Sequence, residues 1–394
     1  MAQSDQFFES VQHRFQWLKE MREEHPVWLD TKSGFWHVFR YRDVYKVITD
    51  FQTFSSERKH PGRRPKQQTI ITMDPPEHRQ YRNLVSSSFT PQAMADITAR
   101  IETITQSLLD KVRTTGFMDI VSDLAYPLPA SIIAEILGLS AEDLPLFKYW
   151  SDGLFALQQC DEEILHPDEH ERIAHERARW GREMADYFMK VLRERQHESR
   201  DDLISSLIAA EVGGAPVSAE DIVSFCLLLL PTGYTTVTNL LSQAIYYLDA
   251  YPDVMEQLKA HRELMPGAVE ELLRYISPSE RLIRITKVDV AFDDIIIPKG
   301  SPIFAWLSSA NRDGEYFEEP EHLDITRSPN KHLAFGHGVH FCIGAPLARL
   351  EISIALSMML EQLSDIHLAL KEPLKLGRFG LQHLPITFTP ALNN

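Results

Sequence analysis

The residue with the most chemical promise is Cys342, in the stretch FGHGVHFCIGAPLARLE, residues 335–351. Three glycines surround it: Gly336, Gly338 and Gly344. Glycine permits positive φ and lets a backbone approach a flat ligand closely. Pro346 suits the first turn of a helix, so the spacing predicts a helix start just after the cysteine. A thiolate at a helix N-terminus is stabilised by free N–H groups and the helix dipole, and can hold a metal as a permanent anion. A lone cysteine is more often a buried apolar thiol, so the case for a ligand rests on the whole loop.

Four other stretches carry polar residues in suggestive places. EELLRY puts Glu271 and Arg274 three apart, on one helix face, where they can pair. DPPEHRQYR, residues 74–82, holds His78 and Arg82. RITKVD holds Arg284, and FEEPEHLDITR ends on Arg327. PTGYTTVTN, residues 231–239, follows the four leucines Leu227 to Leu230. It weakens an otherwise greasy helix, because threonine has modest helix propensity and its hydroxyl competes for backbone carbonyls. No carboxylate side chain occurs between Asp221 and Asp249.

These residues need a scaffold. The chain has 394 residues, 44% apolar and 24% charged, which suits a globular protein with a large core. A net charge of -16 argues against nucleic acid as a main partner. Three distant cysteines, Cys160, Cys226 and Cys342, give no disulfide framework and suit a reducing cytosol. The N-terminus has no uninterrupted apolar run, which points away from a signal peptide, and no segment reads as a bilayer span. Apolar spacing predicts a helix over 6–24. A strand, a turn and a helix capped near Asp43 are predicted over 34–50. Residues 91–248 read as overwhelmingly helical and 281–307 as a small sheet. A final helix is predicted from about Pro346, then a strand-rich tail. The expectation is one domain over 1–394, mainly α with a minor β part at one side.

The cysteine loop closely resembles the haem-binding signature of the cytochromes P450, F-x-x-G-x-x-x-C-x-G, matched by Phe335, Gly338, Cys342 and Gly344. His340, Ala345 and Arg349 also fit the family's usual pattern. The resemblance runs from about Trp36 to the tail and looks closest to soluble bacterial members. It implies a triangular helical prism with a long central helix over haem b, and Cys342 as the axial iron ligand. Glu271, Arg274 and Arg327 match a buried structural network. His78, Arg82, Arg284 and His340 match residues that bind the haem propionates.

On the same resemblance the central helix carries [AG]-G-x-[DE]-T, with Gly233 and Thr236 in register and Thr236 delivering protons. Thr235 stands where the family usually has Asp or Glu. A second register makes Thr235 the key hydroxyl, with Tyr234 in the acid position. Neither register restores an acid. The pocket is expected to include Thr232, Gly233, Glu280, Leu282 and Leu381, with Gln382 and His383 nearby. A basic loop with Arg58, Lys59, His60, Arg63, Arg64 and Lys66 is either a solvated loop or a recruiter of substrate carboxylates. The implied activity is insertion of one oxygen atom from O2 into a C–H bond of an apolar small molecule such as a fatty acid, steroid or terpenoid. Electrons are expected from a ferredoxin or flavodoxin with its reductase. It would dock on the cysteine side near Lys331, His332, His337 and Arg349. Peroxide-driven oxygenation and haem binding without turnover are the alternatives. The expected location is cytoplasmic, without a membrane anchor.

Overall fold

The computed structural model describes residues 3–57, 69–156, 167–370, 374, 376–377 and 380–390. Helices Pro127–Leu137, Pro167–His197, Met265–Ile276 and Ala345–Gln362 pack against the central helix Ala219–Ala250, and Pro91–Val112 packs on Ala345–Gln362 and Pro127–Leu137. That helix contributes to both large apolar clusters. Leu240, Leu241 and Ala244 enter one; Phe225, Cys226 and Leu229 enter the other. Ser218 caps its start, accepting from the Asp221 N–H at 3.1 Å. Pro231 has no N–H to return to the Leu227 carbonyl, yet the helix runs unbroken, because packing on both sides outweighs one lost bond. The weakness expected around the threonines is therefore present as a missing bond rather than as a break.

By length and composition this helix could cross a membrane, which corrects the expectation that no segment could. It is the core helix of the fold, and neighbouring helices take its apolar surface. Gly233 makes that packing possible. A Cβ there would lie 2.6 Å from Ile133 Cγ1 on Pro127–Leu137.

A five-stranded sheet lies at one side, in the order Val27–Asp30, Phe35–Val38, Pro302–Trp306, Arg281–Thr286, Phe54–Ser55. Pro302–Trp306 runs parallel to Phe35–Val38, and the other pairs are antiparallel. The helix after Phe35–Val38 starts at Tyr41, and Asp43 sits inside its first turn instead of capping it. Asp313 does the capping from afar, accepting the Tyr41 N–H at 2.8 Å. The stretch expected to be overwhelmingly helical also carries short strands. Phe117–Asp119 is a strand that pairs with Pro385–Pro390, and Glu211–Val212 pairs with Ala215–Pro216. Leu363–Leu368 completes the tail sheet on the other side of Pro385–Pro390.

Candidate active site

The cysteine loop is closed by its own backbone. The Cys342 N–H donates to Phe335 O at 2.9 Å, Gly336 N–H to Leu333 O at 2.8 Å and Phe341 N–H to Gly338 O at 3.1 Å. Gly336 and Gly338 take φ of 67° and 73°, a region that favours glycine. Gly338 also lies against the helix Tyr41–Thr49, where a Cβ would come within 3.2 Å of Thr49 Cα. Gly344 differs from this pattern, with φ of −82°. It lines a cavity, and a Cβ on it would meet nothing within 4 Å. Its smoothness is thus unused by the protein's own packing and suits a flat ligand.

That cavity, of about 300 Å³, joins the two features picked out in the sequence. Cys342, Phe335 and Gly344 line it from the loop; Thr232, Gly233, Thr236 and Val237 line it from the central helix. Thr235 is buried outside the lining, and the Tyr234 hydroxyl donates to Phe147 O at 3.3 Å. The helix therefore presents Thr236, not Thr235, to the cavity. Thr232 Oγ1 donates to Leu228 O at 2.7 Å, while Thr236 Oγ1 donates to Thr232 O at 3.5 Å, so the Thr236 hydroxyl is the more weakly held of the two. Cys342 is exposed and lines this cavity. Burial pushes its thiol above the ordinary value. The Gly344 and Ala345 N–H groups and the Arg82 and Arg349 guanidiniums pull the other way without overcoming burial.

Four groups suited to holding anions gather at one edge. Arg82, Arg284 and His340 line the cavity, and the His78 ring lies 4.3 Å from the His340 ring. Arg82 donates to Phe341 O at 2.6 Å, and His340 Nε2 lies 2.9 Å from Ser56 Oγ. Both His78 ring nitrogens are buried without a hydrogen-bond partner among the described residues. Burial, then Arg82, lowers the His78 pKa to about 4. Burial, then Arg284 and His78, lowers that of His340 to about 3. The nearby carboxylate, Asp74, is engaged by Ser55, the Ser56 N–H and Lys287 at 2.7–2.9 Å. An unpartnered imidazole beside arginines fits a buried dianion brought by a ligand.

A sequence model of the family described as Cytochrome P450 matches residues 2–376. The chain belongs to the cytochrome P450 family. The putative cytochrome P450 YjiB of Bacillus subtilis is 40% identical over 352 residues, 88% of this chain and 87% of that one. The erythromycin C-12 hydroxylase of Saccharopolyspora erythraea is 38% identical over 379 residues, 94% and 93% of the two chains. The crystal structure of CYP109E1 from Bacillus megaterium in complex with testosterone superposes with a TM-score of 0.90 at 38% identity, covering 98% of this chain and 99% of that one. Cytochromes P450 bind haem b through a cysteine thiolate, and this chain is a haem-thiolate monooxygenase. The residues fit that group: an accessible thiol in a cavity, a glycine without a neighbour, and unpartnered histidine nitrogens beside two arginines.

The structure brings this P450's three network residues together. Arg274 and Glu271 are fully buried and joined by two bonds of 2.8 Å. Arg327 Nε reaches Glu271 at 3.2 Å, and the Asp324 N–H and Asn330 Nδ2 donate to the same carboxylate. Arg349 and His332 instead converge on Glu270. Burial opposes that carboxylate's charge, but the bonds from Arg349 and His332 win and hold its pKa at about 2.

Other expected positions fall elsewhere. Glu280 does not line the cavity, although Pro278, Ser279 and Leu282 do; it pairs with Arg14, far away in sequence. Leu381 is buried in the core beside the central helix, held there because Gly380 lets Asn239 approach. Gln382 is exposed and His383 half-buried, also outside the lining. The basic residues Arg58 to Lys66 lie outside the described residues. Sequence reading missed Ile133, which reaches the cavity beside Gly233, and Glu351, a cavity-lining acid. Glu351 is fully buried, its carboxyl has no partner among the described residues, and burial raises its pKa well above the usual range. An acid among the apolar residues of Ala345–Gln362 was the available signal.

Proposed function

We propose that this cytochrome P450 inserts one oxygen atom from O2 into an unactivated C–H bond of an uncharged, largely apolar molecule of steroid, terpenoid or macrolide type. The observation that carries the reading is the cavity wall. Ile71, Ile133, Leu228, Leu229, Val237 and Leu282 surround the hydroxyls of Thr232, Thr236 and Ser279. Among the described residues the cations on the lining are Arg82 and Arg284, which belong to the anion-holding edge. CYP109E1 crystallised with testosterone and the erythromycin C-12 hydroxylase support a bulky substrate.

Cys342 is the residue that would ligate iron. Burial keeps the free thiol protonated, so ligation releases that proton. His78, Arg82, Arg284 and His340 would hold the two propionates. Haem, when bound, supplies the oxygen activation and the oxidising power. The protein's part is to exclude water with the aliphatic wall, orient the substrate, and hold a proton at Thr236 Oγ1 for transfer. With Thr235 lacking an acid and lying off the lining, that proton comes through water or a substrate hydroxyl.

Electrons come from a ferredoxin or flavodoxin with its reductase, in the cytoplasm. Lys331 and His337 are exposed beside a groove with Tyr45 and Phe341 on the cysteine side, and suit docking. His332 and Arg349 are already bonded to Glu270 and contribute less. The test is a spectral titration of the haem-loaded protein with testosterone and with palmitate, followed by turnover under ¹⁸O₂ with a ferredoxin system. Testosterone should shift the haem spectrum and give singly labelled product. Binding of palmitate alone, or turnover with hydrogen peroxide alone, would refute the proposal.

A further inference from the structure

One wall of the cavity is held from outside by the N-terminal helix, Gln3–Glu24. The wall in question is the segment 278–309. It contributes Pro278, Ser279, Leu282, Arg284 and Leu307 to the lining. Three contacts reach it from the helix. Arg14 pairs with Glu280, the residue next to Ser279. Trp17 meets Trp306 edge-on, with ring centroids 5.4 Å apart, next to Leu307. Arg22, itself buried, donates to Ser309 O at 3.1 Å and Ser309 Oγ at 3.0 Å. Leu18 and Met21 close the contact by packing with Phe39 and Trp306. The Glu280 carbonyl accepts the Ser308 N–H at 3.0 Å, so the two ends of the segment are tied where Arg14 arrives.

We propose that the N-terminal helix is a brace for this wall, and that Arg14, acting through Glu280, is a positioning residue for substrates that fill the cavity. Neither side chain lines the cavity. Glu280 acts by fixing the backbone from which Ser279 and Leu282 project. The pair is part-exposed, at 39% and 29%, so its effect is modest and screened by salt. The proposal rests on the haem reading above.

The test uses full-length, haem-loaded protein and two azoles that ligate haem iron, imidazole and the bulky clotrimazole. Imidazole reports the iron site, and clotrimazole also reports the wall. Arg14→Ala and Glu280→Gln should each weaken clotrimazole binding by about two- to fivefold, with imidazole affinity and haem content unchanged. The charge swap, Arg14→Glu with Glu280→Arg, should restore most of the clotrimazole affinity. High salt should bring the parent towards the single variants. Clotrimazole affinity unchanged in both single variants, or imidazole affinity falling in step with it, overturns the brace. A swap that fails to restore binding does the same. Absence of any azole shift in the parent removes the haem reading itself, and the brace with it.

Discussion

Arg274→Met removes a fully buried guanidinium that makes five bonds. Two go to the Glu271 carboxylate at 2.8 Å, and three go to the carbonyls of Asn311, Pro320 and His322 at 2.8–3.1 Å. The variant leaves Glu271, also fully buried, with Arg327, the Asp324 N–H and Asn330. Breaking one side of a buried pair costs about 3–5 kcal/mol. Three carbonyls lose their donor as well, which places this case near the upper end, about 4–5 kcal/mol. That is a large part of the roughly 5–15 kcal/mol by which a folded chain is stable. The assay is urea unfolding of the haem-loaded protein, followed by both the haem band and far-ultraviolet dichroism. Arg100→Ala serves as the control. It breaks a pair with Glu135 in which both partners are about half exposed, and should cost about 1 kcal/mol or less. A loss below about 1 kcal/mol in Arg274→Met would falsify the view that this network holds the segment 311–330 to the helix Met265–Ile276.

The remaining predictions concern the cavity. Thr236→Val should lower the fraction of NADH consumption coupled to product by about ten- to a hundredfold, and Thr235→Val should leave it near the parent value, because Thr236 lines the cavity and Thr235 does not. Equal losses in the two variants would contradict the assignment. For His78, burial and Arg82 lower the folded pKa to about 4, against about 6.5 unfolded. The unfolded chain therefore binds the extra proton between those values, and stability present above about pH 6.5 is lost as pH falls towards 4. Urea midpoints of the haem-free chain at pH 7, 5.5 and 4.5 should fall accordingly. His78→Phe should reduce that slope, with the similarly lowered His37 and His340 carrying the remainder, and an unchanged slope would show that the His78 ring does not contribute.

The cysteine loop was legible because its residue types state their backbone needs. Gly336 and Gly338 adopt positive φ, and Pro346 falls in the first turn of a helix. The spacing of Glu271 and Arg274 only allowed a pair, as on many solvated helix faces, and the family resemblance was needed to read it as buried and to bring Arg327 to it. The thiol of Cys342 shows a limit of local reasoning. The helix end and the arginines act in the expected direction, but burial, a tertiary quantity, outweighs them. Glu280 was placed in the pocket because its chain neighbours are there. Glu280 lies just before the strand Arg281–Thr286, so the strand's alternation does not place its side chain, and only the fold brings Arg14 to it. Phe117–Asp119 was read as helix because its three residues become a strand only through partners far away at Pro385–Pro390. Leu381 depends in the same way on the approach of Asn239 to Gly380.

The central claim is that Cys342 ligates haem iron as a thiolate. The direct measurement is the absorption spectrum of the reduced, carbon monoxide-bound protein, for the parent and for Cys342→His. The parent should give the long-wavelength band that thiolate-ligated haem produces, and Cys342→His should retain haem while losing that band. A parent without the band, or a Cys342→His variant that keeps it, would contradict the assignment.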